Sequence, residues 1–177
     1  KALYLDEDSA LIVVDQEPEL PTESSSLDDG FRTAVEQSGH SIVITDVDGT
    51  ITYVNPATEE TTGYSEEELL GETPRILQSG EHEESFYEEL WETILSGEVW
   101  NGEIINQQKN NKLYVIDQTI APLKDSDDEI TGFVAINRDV TKSWVHREEL
   151  KKQAGKDPLL KIPHQETLID RIDEIHE

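Results

Sequence analysis

The sequence contains no cysteine among its 177 residues. This absence excludes disulfide bonds, thiolate metal sites and cysteine nucleophiles, and it leaves the redox compartment of the protein open. Long apolar runs are also missing, since no stretch approaches the roughly 20 residues that a membrane-spanning helix needs. Because neither a membrane span nor a secretory signal is visible, the sequence predicts a cytoplasmic protein without membrane insertion. Lys1 is not a natural start, so we expect a fragment of a longer chain.

Basic residues are scarce. The chain has 14 lysines and arginines against 40 acidic residues, which gives a formal net charge of -26. Such a charge repels nucleic acid and anionic lipid, so the composition predicts that the protein binds no nucleic acid. The acidic residues are spread along the whole chain, which is typical of proteins that work in high salt, where screening removes much of the self-repulsion. We therefore expect a halophilic source.

Composition shifts divide the chain into a central domain with flanking segments. Residues 15–29 are acidic and rich in proline and serine, which indicates a linker. The apolar run at residues 10–14 predicts a buried strand that ends a preceding domain. We predict a tail of a preceding domain at 1–14, a linker at 15–29, a folded domain at 30–141, a helical output linker at 142–156 and a following segment at 157–177.

Hydrophobic periodicity predicts an α+β fold for the central domain. An Asp48-Gly49 pair between two β-rich runs is a hairpin signal, Asn55-Pro56 is a helix start, and Ser65 with Glu68 forms a capping-box pattern. The order β-β-α-α-α-β-β-β predicts a five-stranded antiparallel sheet with helices packed on one face. The predicted strands are 42–44, 51–54, 99–108, 113–123 and 130–139, with an entering helix at 31–38 and a C-terminal helix at 141–153.

Four segments at 41–57, 62–71, 74–78 and 132–141, in this order and spacing, resemble the PAS domain, including its PAC part. The resemblance implies a sensory module of a signalling protein, with no catalytic residues of its own. It also implies that Asp139 and Thr141 transmit a signal, because the family's carboxylate and hydroxyl tie the last strand to the helix that follows. The alternative is that these two residues only cap that helix.

A ligand site is expected between the helices and the sheet, because helices on one face leave a pocket there. Side chains alternate along a strand, so polar and apolar residues on one face can be assigned. In the alternative interpretation the inward amides are satisfied by the backbone or by buried water, and no ligand binds. The candidate ligand-binding residues are Asn106, Gln118, Asn137, Ile104, Ile116, Ile120 and Ala135.

The flavin-binding LOV (light-oxygen-voltage) branch of the family implies a cofactor. Asn106 and Asn137 match its amides, but Ile116 stands where LOV domains carry a second asparagine, and Pro74 stands in place of the photoreactive cysteine. A cysteinyl-flavin photocycle is therefore excluded. Residues 99–106 also resemble PAS domains that hold FAD as a redox sensor, so FAD or FMN is the candidate cofactor. Haem is disfavoured, since acidic neighbours predict a solvated His82, and the other histidines lack metal-ligand spacing.

The residues that follow the PAS domain indicate which kind of output domain it could regulate. Residues 157–171 resemble the opening of GGDEF diguanylate cyclase domains, although Leu160-Lys161 stands where a threonine and a glycine are typical. The resemblance implies an adjacent output domain of degenerate cyclase type in cis, and a two-component sensor kinase is the alternative output. No phosphate-binding loop occurs within this chain, so we predict that the chain is not itself an enzyme. Two alternatives stay open: a ligand-free PAS dimerisation or protein-interaction module, and the regulatory part of a nucleotide-signalling enzyme. A homodimer through the flanking helices is expected.

Overall fold

The computed structural model describes the backbone of residues 3–5, 11–13 and 23–154, and the side chains from residue 28 to residue 151. The chain forms two compact units, residues 1–34 and 35–177, which are described separately. The GGDEF-like segment at 157–177 and the first part of the predicted linker lie outside the described residues.

The first unit contains a short hairpin and most of a helix. Strand β1 (Leu3–Leu5) pairs antiparallel with β2 (Leu11–Val13). Helix α1 (Glu23–Glu36) begins earlier than the predicted 31, so residues 23–29, predicted as linker, are helical. The early start was missed because this part of the helix is serine-rich and acidic, without an apolar stripe.

The second unit is built on one five-stranded antiparallel sheet, which confirms the predicted α+β fold. The sheet order is β4-β3-β7-β6-β5. Its register places Asn137 of β7 between Ser41 of β3 and Gln118 of β6, and Ile104 of β5 opposite Ile116. The strands are β3 (Ser41–Thr45), β4 (Ile51–Val54), β5 (Trp100–Gln107), β6 (Leu113–Lys124) and β7 (Ile130–Asp139).

The β3–β4 connection is longer than the tight two-residue turn that Asp48-Gly49 favours. The Asp46 carboxylate accepts hydrogen bonds from the backbone N–H of Asp48 and of Thr50. Only Gly49 adopts a positive φ, of 82°. The aspartate side chain thus organises a wider loop in which a single residue must be left-handed.

The helices between β4 and β5 cover one face of the sheet, as predicted. Asn55 caps the first of them, and Ser65 with Glu68 forms the predicted capping box. Within the described residues, no helix is both long and apolar enough to cross a membrane. The helices are α2 (Pro56–Thr62), α3 (Glu66–Leu69), a 3-10 turn (Pro74–Leu77) and α4 (Glu84–Leu95), followed after β7 by α5 (Thr141–Ala154).

Helix α5 packs on the opposite face of the sheet. Trp144 of this helix is buried against Leu113 and Val115 of β6. On the inner face, Leu90 and Ile94 of α4 pack against Ile104, Ile116 and Ile120. Because neighbouring residues of β6 point to opposite faces, one strand contacts both the inner core and the C-terminal helix.

Candidate functional site

A cavity of about 890 Å³ lies between the inner sheet face and the helices α2 to α4. Its size is in the range of cavities that hold cofactors and other small ligands. All seven residues predicted from strand alternation together with the LOV resemblance line it: Asn106, Gln118, Asn137, Ile104, Ile116, Ile120 and Ala135. The structure therefore brings these residues together at one cavity, and their role in binding stays a prediction.

The polar inner face of the sheet contains one group of hydrogen-bonded side chains and, beside it, the pair Asn106 and Tyr114. Gln118 Nε2 donates to Asn137 Oδ1 over 2.8 Å, and Asn137 Nδ2 donates to Ser41 Oγ over 3.2 Å. Asn106 lies directly opposite the buried Tyr114 on the neighbouring strand. Burial raises the pKa of Tyr114 far above its usual value, and the neighbouring Asn106 amide offsets this only in part, so Tyr114 is a neutral phenol.

His82 lines the cavity and is not the solvated residue that its acidic neighbours predicted. It is half-buried, its Nε2 accepts a hydrogen bond of 2.8 Å from the Ile105 N–H, and its ring stacks on Phe86 with centroids 4.2 Å apart. Ser79 Oγ donates to the carbonyl of the same Ile105. The prediction failed because exposed neighbours say nothing about the direction in which one ring points. No cluster of three or more potential metal-ligating side chains occurs among the described residues.

We expect stability to depend on pH through His82. Burial lowers the pKa of His82, and the Glu81 charge opposes this shift. Since the folded pKa is depressed, the folded state disfavours the protonated form, and the contribution of His82 is complete above the unfolded pKa of about 6.5. The free energy of unfolding should therefore fall as the pH drops below that value.

The measurement is chemical denaturation from pH 7.5 to 5 for three proteins. His82→Gln retains an acceptor for Ile105 but does not titrate, so its pH slope should be shallower than that of the unmodified chain. His146→Gln, at an exposed position of α5, is the matched control and should keep the full slope. Equal slopes in all three proteins would show that the His82 environment contributes nothing.

Helix α4 adds a polar atom that the sequence analysis missed. The Tyr87 hydroxyl is buried and makes no hydrogen bond within the described structure, and burial raises its pKa. Tyr87 lies in the apolar stripe of α4, so its pattern predicts core packing and does not reveal the unpaired hydroxyl. Leaving such a group unpaired is costly, which makes it a natural partner for a ligand atom in the cavity that it lines.

The charged lining residues lie in the loop and helix segments. Arg75 of the 3-10 turn is the only lysine or arginine among the described residues that line the cavity, and its side chain is exposed. Pro74, in the position compared above with a photoreactive cysteine, begins this turn and also lines the cavity. Asp48, Glu84 and Glu88 supply the acidic groups. A single cation thus stands where an anionic part of a ligand could be held.

The junction between β7 and α5 is closed by side-chain hydrogen bonds. Asp139 Oδ1 accepts from the backbone N–H of Thr141 over 2.8 Å and from its hydroxyl over 2.6 Å. The Thr141 hydroxyl oxygen accepts a bond of 3.0 Å from the backbone N–H of Val115. Thr141 and its bond to Val115 are buried, whereas Asp139 is exposed. Thr141 does more than cap α5, because its hydroxyl also connects the helix start to β6.

This topology, with a cavity on one sheet face and a terminal helix on the other, is that of a small α+β domain with an internal pocket. The chain belongs to the PAS domain family, since the family model described as PAS domain matches residues 39–142. PAS domains are sensory modules of signalling proteins.

The similar proteins are regulators and receptors. A nitrogen fixation regulatory protein of Klebsiella pneumoniae is 37% identical over 121 residues, covering 68% of this chain and 24% of that protein. The LOV domain of a blue-light activated histidine kinase from Erythrobacter litoralis is 28% identical with a TM-score of 0.55, covering 59% of this chain and 99% of that one. An RNA-binding light-oxygen-voltage receptor is 23% identical with a TM-score of 0.68, covering 81% of this chain and 42% of that one. This similarity shows that the two proteins share a fold. The chain thus spans about a quarter of the curated relative.

Proposed function

We propose that this chain is a sensory input module that binds a small ligand or cofactor in the inner cavity. A conformational change then passes through Asp139 and Thr141 into α5 and on to an output domain in cis. The observation that carries the proposal is the cavity itself, about 890 Å³ and lined by polar groups that include the unpaired hydroxyl of Tyr87. A ligand-free interaction module would fill this space with side chains, so the cavity weighs against that alternative.

FAD or FMN is the cofactor that we propose. The apolar walls suit a planar ring, Asn106 and Asn137 offer amides to a heterocycle edge, and Arg75 offers a cation to a phosphate. The similarity to a LOV domain supports the same class. When bound, a flavin would supply redox or light absorption, and the residues of this chain would hold and orient it. The chain has no cysteine, so a thiol adduct with the ring is excluded.

The experiment is to purify the protein in high salt, record its visible absorption, and identify by mass spectrometry what denaturation releases. We expect a flavin spectrum, and Asn106→Ala should weaken flavin retention about tenfold through the loss of one buried hydrogen-bonding group. Asn101→Ala is the matched control, because Asn101 lies on the same strand but is exposed and contacts Thr119. A colourless protein that releases nothing would refute the cofactor.

The wider setting is proposed from the relatives and the sequence. A chain that matches a quarter of a regulatory protein supports a multidomain parent, with a cyclase-like or sensor-kinase output as the candidates. Homodimerisation, a cytoplasmic location and a halophilic source stay predictions. Analytical ultracentrifugation at low and high salt tests the dimer and the salt requirement together.

A further inference from the structure

We propose that the cavity selects a ligand that presents a hydrogen-bond donor to Gln118. The reason is a chain of side-chain hydrogen bonds that begins at Asn55 and fixes the orientation of the Gln118 amide. This inference rests on the proposed ligand binding and specifies the chemistry of that ligand. The nitrogen and oxygen of a side-chain amide have nearly the same shape, so they are assigned from their hydrogen-bond partners. The assignment of Gln118 must therefore start from a side chain whose orientation is certain.

Asn55 is that group, because four backbone groups determine which of its atoms is which. Its Oδ1 accepts from the N–H of Ile42 over 2.8 Å and of Thr58 over 3.2 Å. Its Nδ2 donates to the carbonyls of Val35 over 3.0 Å and of His40 over 2.9 Å. A flipped amide would oppose donors to donors and acceptors to acceptors at all four contacts.

The orientation of Asn55 determines which way the Thr58 hydroxyl hydrogen points. Its hydroxyl oxygen lies 2.9 Å from Asn55 Oδ1 and 3.0 Å from the carbonyl oxygen of Ile42. Neither of these oxygens carries a hydrogen, so the Thr58 hydrogen must point toward them. The Ser41 hydroxyl lies 2.9 Å from the Thr58 hydroxyl, where either atom could donate. Because the Thr58 hydrogen is already committed, Ser41 is the donor.

The same reasoning then determines both amides. The hydrogen of Ser41 points to Thr58, so Ser41 Oγ can only accept, and the Asn137 atom 3.2 Å away is the donor Nδ2. Asn137 Oδ1 therefore faces Gln118, whose Nε2 must donate across the 2.8 Å contact. All the bonds run in one direction, which favours cooperative strengthening along the chain.

The remaining amide atom of Gln118 is its carbonyl oxygen. Gln118 lines the cavity, and its Oε1 makes no hydrogen bond among the described residues. Gln118 Oε1 thus presents a hydrogen-bond acceptor to the cavity. A donor could take its place only if every hydrogen bond between Gln118 and Asn55 changed direction. A ligand N–H or O–H is matched here, whereas a ligand acceptor meets a second acceptor and is disfavoured.

The direction of these side-chain hydrogen bonds can be measured by NMR on the ligand-free protein with labelled side-chain amides. We expect the Asn137 amide protons to show cross-peaks to the Ser41 β-protons, and the Gln118 amide protons to lie nearest Asn137. Ser41→Ala removes the link, so the Gln118 and Asn137 amide signals should shift or average. Thr119→Ala removes a β6 hydroxyl that donates to the exposed Asn101 amide oxygen of β5, and it should leave them unchanged. If the unmodified protein shows Asn137 amide protons directed at Gln118, the proposed direction is wrong.

The ligand preference can be measured with indole, which offers one N–H donor, and benzofuran, in which an acceptor oxygen replaces that N–H. In chemical-shift titrations of the unmodified protein we expect indole to bind about fivefold more tightly. Ser41→Ala should reduce this ratio toward one, and Thr119→Ala should preserve it. Equal binding, or tighter binding of benzofuran, would overturn the donor preference. If neither probe perturbs the cavity residues, the proposed ligand site fails as well, whereas a flavin-free protein with the expected indole preference contradicts only the flavin.

Discussion

Replacing Asn55 by alanine should lower the free energy of unfolding by about 3 kcal/mol or more. The side chain is 1% exposed. Its loss removes the cap of α2 and leaves the N–H of Ile42 and the carbonyls of Val35 and His40 without these partners. Because these groups belong to segments far apart in the chain, the cost should be global and not confined to α2.

Chemical denaturation followed by tryptophan fluorescence gives the measurement. Asn101→Ala removes an asparagine from an exposed strand position and should change the stability by no more than about 0.5 kcal/mol. Asn55→Asp keeps the acceptor for Ile42 but sets a buried carboxylate oxygen against the carbonyl oxygens of Val35 and His40, so it should be no more stable than the alanine variant. A loss below about 1 kcal/mol in Asn55→Ala would mean that solvent replaces these bonds.

Replacing Thr141 by valine should loosen the start of α5 while the rest of the domain stays folded. Valine has the shape of threonine but cannot accept from the Val115 N–H or donate to Asp139. Leaving the Val115 N–H unpaired in a buried place should cost about 2 kcal/mol. Since Trp144 still packs on Leu113 and Val115, we expect local opening of the helix start in preference to global unfolding.

Hydrogen exchange resolved by residue can separate local from global effects. The amides in the first turns of α5 should exchange roughly thirtyfold faster in Thr141→Val, while those of α4 should change little. Ser143→Ala, which removes an exposed hydroxyl that donates to the Val140 carbonyl, is the matched control. Unchanged exchange in α5 would show that the Asp139–Thr141 pair is not the element that couples sheet and helix.

The parts of this fold that were predictable are those governed by local chemistry. Asn55-Pro56 and the Ser65–Glu68 box each act within a few residues, and both form as expected. Strand alternation grouped the residues within each strand, because the period of two is a property of any extended strand, and the LOV resemblance implied that Asn106, Gln118 and Asn137 share the inner face.

The parts that were not predictable depend on contacts distant in sequence. The Ser41 hydroxyl accepts a hydrogen bond from Asn137, 96 residues further along the sequence. This contact can be recognised only once β3 and β7 are known to pair. The inward direction of His82 depends on Ile105, and the unpaired hydroxyl of Tyr87 depends on what surrounds α4. In each case the local sequence indicated an ordinary role, a polar strand end, a solvated loop or a core aromatic, and tertiary structure decided otherwise.

The side chains that cover the outer edge of β5 also restrict how copies of the chain can assemble. β5 is the last strand of its sheet, and such an edge can accept a strand from another molecule. At Ile105 both backbone groups are already occupied, the N–H by His82 and the carbonyl by Ser79. An incoming strand therefore cannot pair continuously along this edge, because its ladder of hydrogen bonds would be interrupted at Ile105.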